Sequence, residues 1–70
     1  MTGFPAAKAK KVLSALLRTG WSVKRQSGSH RTMERDGWSD VVFAFRDGDE
    51  IGPKMLSRIA KNTGLKPDDL

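Results

Sequence analysis

Trp21-Ser22-Val23-Lys24-Arg25-Gln26-Ser27-Gly28-Ser29-His30-Arg31-Thr32-Met33-Glu34-Arg35 is the stretch that decides the fold. Its first six residues alternate apolar and polar, as a half-buried strand does. Ser27-Gly28-Ser29 then interrupts with turn-forming residues. Arg31 to Arg35 reads as a second strand, weaker in propensity but bounded by turns. The spacing predicts strands over about 21–26 and 31–35, joined by a tight loop that presents His30 at a sheet end. His30 is the only histidine of the chain.

Downstream, Asp36-Gly37 is a hairpin signal, because both residues tolerate positive φ. Trp38-Ser39-Asp40 leads into Val41-Val42-Phe43-Ala44-Phe45, a β-branched and aromatic run read as the central strand, over about 41–45. Arg46-Asp47-Gly48-Asp49-Glu50 reads as a polar loop. Ile51-Gly52-Pro53 opens a helix over about 53–62, with Gly at N-cap, Pro at N1, and Ile51 placed to staple against Leu56. Met55, Leu56, Ile59 and Ala60 form its apolar stripe, and Asn62-Thr63-Gly64-Leu65 closes it.

Upstream, Ala9, Val12, Leu13, Leu16 and Leu17 recur at helical spacing and predict a helix over about 6–18. Thr19-Gly20-Trp21 ends it, with Gly taking the left-handed conformation and Trp21 packing back on the last turn. Pro5 marks its start without a side-chain cap. The order is helix, three strands, helix. An antiparallel meander has one face to bury, and two amphipathic helices suffice to cover it. The expected class is α+β, a single small domain over 1–70 with both helices on one face of a three-stranded antiparallel sheet. That order is the one found in double-stranded RNA-binding domains.

Seventy residues make a small domain with a thin core. No apolar run approaches the roughly 20 residues that span a bilayer. Met1-Thr2-Gly3-Phe4-Pro5 lacks the plan of a secretory signal, so the cytoplasm is the expected location and no membrane contact is expected. There is no cysteine, which excludes disulfides and thiolate metal sites. A lone histidine among scattered carboxylates argues against structural zinc. No metal and no cofactor are expected. The net charge of +5 is unevenly placed. Residues 1–33 hold seven bases and no acid, whereas residues 34–70 hold six bases and eight acids. A polyanion is the natural partner of the first half.

Gly20-Trp21, Arg25-Gln26-Ser27-Gly28-Ser29-His30, Glu50-Ile51-Gly52-Pro53 with Leu56 and Ile59, and Thr63-Gly64-Leu65 together resemble the HicA (YcfA-like) toxins. The resemblance runs from about Ala9 to Leu65. It implies a bacterial messenger-RNA interferase with the double-stranded RNA-binding fold, neutralised by a HicB-type antitoxin. It places the family's catalytic histidine at His30 and its glycine at Gly28. Many members carry a second histidine directly after the first, where this chain has Arg31. Their third strand and following loop are also more polar than Val-Phe-Ala-Phe-Arg-Asp-Gly-Asp.

RNA carries its own nucleophile, the 2′-hydroxyl. Cleavage needs a base for that proton, charge to stabilise the transition state, and a proton for the departing 5′-oxygen. Imidazole suits either proton role at neutral pH. Lys24, Arg25 and Arg31 are the nearby cations, and Ser27 and Ser29 the nearby hydroxyls. Gly28, lacking a Cβ, lets backbone approach a phosphate. On the second helix Lys54, Arg58 and Lys61 fall at i, i+4 and i+7, a spacing that suits phosphates. The expectation is metal-independent transesterification with His30 as acid or base. Residues alone leave two other readings open: a non-catalytic RNA-binding module, and a protein that uses its open sheet face for protein contacts.

Overall fold

The computed structural model describes residues 3–70. Met1 and Thr2, where the segment read against a secretory plan begins, lie outside the described residues. The elements run β1 (Ala7–Lys8), α1 (Ala9–Arg18), β2 (Ser22–Ser27), β3 (His30–Glu34), β4 (Val41–Phe43), β5 (Glu50–Ile51) and α2 (Pro53–Thr63), with a final 3-10 turn at Pro67–Asp69. Strands β2, β3 and β4 form one antiparallel sheet in that order, and β1 pairs with β5 in a separate two-stranded clip. The molecule is an α+β domain with two helices and a three-stranded antiparallel sheet.

One buried cluster unites the layers. Val12, Ala15 and Leu16 of α1 and Leu56 of α2 meet Met33 and Phe43 of the sheet, with Trp21, Ile51 and Leu65 around them. Side chains alternate along a strand. Met33 and Phe43 therefore define the covered face, and Val42, 63% exposed, marks the open one. Both helices pack on the same side.

The helix ends explain why the chain turns where it does. After α1, the Trp21 N–H donates to the Leu16 carbonyl at 3.1 Å and the Gly20 N–H to Leu17 at 3.4 Å. Gly20 has φ +110°, and this pair of bonds is a Schellman closure. After α2 the Gly64 N–H donates to the Ala60 carbonyl at 2.8 Å with φ +74°. Leu65 instead donates to the Thr63 hydroxyl at 3.3 Å. The second closure is thus the simpler left-handed cap, not a copy of the first. Trp21 ties the two ends together, since its indole N–H donates to the Thr63 carbonyl at 3.1 Å.

Several boundaries differ from those expected, for identifiable reasons. Helix α1 starts at Ala9 because Ala7 and Lys8 pair with Ile51 and Glu50. Its first free N–H groups find backbone carbonyls: Ala9 donates to Asp49 at 2.8 Å and Lys10 to Asp47 at 3.2 Å. The 46–50 segment is therefore the N-terminal cap of α1 as well as a loop, which a local pattern does not reveal. Asp36-Gly37 makes no two-residue hairpin. Trp38 donates to the Arg35 carbonyl at 3.0 Å and only Gly37 takes positive φ, +83°. Those signs are those of a type II turn, set within a longer connection to β4.

The largest correction concerns Val41-Val42-Phe43-Ala44-Phe45. The expected central strand ends at Phe43 and lies at the sheet edge, and β3 is central. A β-branched and aromatic run reads as a central strand. Here one flank is β3 and the other is an apolar groove against α2.

Candidate active site

His30 is exposed and opens β3, so it belongs to the strand and not to the loop before it. Ser27 pairs with His30 across a two-residue turn, Gly28-Ser29. Gly28 has φ +59°, whereas Ser29 is not in the positive region. These are the signs of a type II′ turn, whose twist matches that of the strands it joins. The Gln26 side-chain amide donates to the Gly28 carbonyl at 3.0 Å and braces the turn from below. The hairpin thus fixes the backbone on which the imidazole is mounted.

Register decides which neighbours share the histidine's face. His30 and Thr32 point away from the covered face that Met33 defines. Val23 pairs with Met33, but Arg25 pairs with Thr32, because the register shifts by one residue between Val23 and Arg25. The extra residue is Lys24. A bulge of this kind transfers every later side chain to the opposite face. Arg25 and Ser27 consequently stand beside Thr32 and His30 on the open face, not beneath the sheet with Val23.

The other expected site residues separate. The Arg31 guanidinium turns to the covered side, where its side chain is 16% exposed. It donates to the Phe45 carbonyl at 3.3 Å and lies 3.7 Å from the Asp47 carboxylate. Lys24 is ion-paired with Asp40 at 3.0 Å. Lys54 and Arg58 are exposed on α2, in the helix layer behind the sheet. Ser29 is half-buried in the turn. Among the described residues Arg25 makes no ion pair, so it is the hairpin cation left available to an anion. No group of three or more His, Cys, Asp or Glu able to hold a metal occurs among the described residues. No helix among the described residues is long and apolar enough to cross a membrane.

Two contributors escaped the sequence reading. Thr32 shares the face of His30, and a period of two from His30 was the available signal. Gln26 braces the turn, and nothing in its type or position distinguishes it from any polar strand residue.

With this geometry in place, comparison with protein families is decisive. The family model described as the HicA toxin of bacterial toxin–antitoxin systems matches residues 9–65. The chain belongs to the HicA toxin family. As a HicA toxin it is expected to have an antitoxin partner. No curated protein and no solved structure gave a match. The HicA match covers α1 through Leu65, and so includes the hairpin, the bulge and both helix closures.

Proposed function

We propose that this HicA toxin is an endoribonuclease that cuts messenger RNA by metal-independent transesterification, with His30 in a proton-transfer role. The observation that carries this reading is an exposed histidine on the open sheet face beside Arg25, a cation that makes no ion pair among the described residues, in a chain of this family. Support from the fold is independent of the histidine. The helix, three strands and helix, with both helices on one face, follow the order of domains that read RNA by shape.

In the proposed step the 2′-oxygen attacks phosphorus and gives up its proton, and the bond from phosphorus to the 5′-oxygen breaks. The 5′-oxygen takes a proton. The products are a 2′,3′-cyclic phosphate and a 5′-hydroxyl end. His30 performs one of the two proton transfers, and a group other than His30 performs the other. Arg25 faces the charge that develops on the phosphoryl oxygens, where fixed cations act most strongly. Gly28 lets the backbone come close to the same phosphate, and Ser27 and Ser29 supply hydroxyls for hydrogen bonds. Lys24, Arg31, Lys54 and Arg58 add to the field that attracts RNA from a distance, although Arg31 and Lys24 are partly neutralised by Asp47 and Asp40. The proposal includes a HicB-type antitoxin and a cytoplasmic setting.

The test compares growth and transcript integrity in cells producing the chain or its His30→Ala variant, both at equal levels of folded protein. Arrest and fragments with cyclic ends from the unaltered chain alone are expected. Equal binding and equal effect of the variant would instead establish a non-catalytic RNA-binding module. Linear ends that form only with a divalent ion would overturn the chemistry.

A further inference from the structure

We propose that β4 is a docking edge at which the antitoxin adds an extended segment, apolar on alternate residues and carrying a carboxylate, as a new strand beside Val41 to Phe45. The inference rests on membership in a toxin–antitoxin family and not on the ribonuclease reading.

The two edges of the sheet are built differently. β2 carries Lys24, Arg25 and Gln26 and is bulged at Lys24. Charge and bulges are the devices by which an edge resists pairing. β4 and its continuation Val41-Val42-Phe43-Ala44-Phe45 have no charge, no proline and no register shift against β3. The run is rich in β-branched and aromatic residues, as strands are, and the sheet gives it one neighbour, β3.

Beside this edge lies a groove of about 290 Å3 between β4 and α2. Val42, Phe43, Phe45, Met55 and Ile59 line it, with Arg58 as its cation. Val42 is 63% exposed and Met55 41%. Alternate side chains of an added strand would fill such a groove, as in other strand-addition complexes. Charge selects the occupant. Arg58 makes no ion pair among the described residues and would meet a carboxylate. The chain's net charge of +5 favours an acidic protein and opposes a second copy of itself.

The position also explains how such a partner would act. Arg31 pairs with Phe43, so continuing the register places Ala44 next to His30. Adjacent strands lie about 4.8 Å apart, which puts an added strand about 10 Å from β3. Its outward side chains would border the face that holds His30.

The experiment uses the full chain and a purified HicB-type antitoxin, with affinity measured by calorimetry for the unaltered chain, Val42→Lys and Ser22→Lys. Val42→Lys should weaken binding at least tenfold, and Ser22→Lys, on the opposite edge, should stay within twofold. Amide hydrogen exchange on the unaltered complex should slow at residues 41–45, and this readout decides the matter even if Val42→Lys folds poorly. Absence of a complex, unchanged exchange at 41–45, or a folded Val42→Lys that binds within twofold would overturn the proposal. So would dimerisation of the chain alone through this edge. None of these readouts depends on RNA cleavage, so failure here and failure of the ribonuclease reading are distinguishable.

Discussion

Trp38 lies directly over Gly64: a Cβ placed on Gly64 would fall 2.7 Å from Cη2 of the indole. The same ring meets Trp21 edge-on at 5.9 Å and carries the Arg35 guanidinium 5.4 Å from its centroid. Arg35 in turn crosses Gly20, where a Cβ would come within 3.1 Å of its Nε. The turn after β3 therefore folds onto the closures of both helices, and Gly64 is held by space as well as by φ, whereas Gly20 meets only the flexible side chain of Arg35.

Gly64→Ala is expected to be strongly destabilising. Its φ of +74° is unfavourable for any residue with a Cβ, by about 1–2 kcal/mol. Displacing Trp38 adds strain of the kind that overpacking produces, about 1–3 kcal/mol. Urea unfolding should show a loss of about 2–5 kcal/mol. Gly48→Ala, where a Cβ would meet nothing within 4 Å and φ is not positive, should change stability by less than about 0.5 kcal/mol.

Trp21→Phe tests the link between the helix ends. The substitution keeps an aromatic ring in the core but removes the N–H that donates to the Thr63 carbonyl. Leaving that buried carbonyl without its donor is worth about 1–3 kcal/mol. The thermal midpoint should fall, and amide exchange should quicken in the last turn of α2 more than in β2.

Arg25 and Arg31 should behave oppositely, although both flank the same hairpin. Arg25→Ala is expected to lower cleavage of an RNA substrate at least tenfold while leaving unfolding unchanged within about 0.5 kcal/mol. Arg31→Ala removes a half-buried donor to the Phe45 carbonyl and its contact with Asp47. It should destabilise by about 1 kcal/mol, the usual net value of such a bond. Cleavage per folded molecule should then stay within threefold. A large catalytic loss from Arg31→Ala at equal folding would place RNA contact on Arg31 instead.

That contrast also shows where the sequence could and could not be read. The helix closures were legible because Gly20 and Gly64 each follow about one turn after the last residue of an apolar stripe, with a hydrophobe directly after them. The hairpin was legible because Gly28 breaks an alternating run. The face of Arg25 was not: strict alternation from Val23 puts it under the sheet, and only the bulge at Lys24 brings it beside His30. The clip of β1 with β5 was hidden for a related reason. Two-residue strands carry no period, and the α1 cap they create depends on carbonyls some forty residues away. The edge position of β4 was hidden because its apolar outer residues face a groove, which composition does not distinguish from another strand.

The salt dependence of RNA binding should reveal which face holds the substrate. Each phosphate neutralised on a single strand contributes about −0.7 to the slope of log affinity against log salt. On the open sheet face Arg25 makes no ion pair among the described residues, and Lys24 is engaged by Asp40. RNA held there by the His30→Ala variant, which the proposed mechanism leaves unable to turn it over, should give a slope no steeper than about −1.4, two phosphates' worth. Lys54→Ala should leave that slope unchanged and affinity within twofold, since Lys54 lies in the helix layer. A slope of about −3 that becomes shallower by one phosphate's worth in Lys54→Ala and again in Arg58→Ala would mean that RNA lies along α2. In that case His30 could reach the scissile phosphate only with RNA wrapping the β4 edge, where Arg58 and Val42 share one groove.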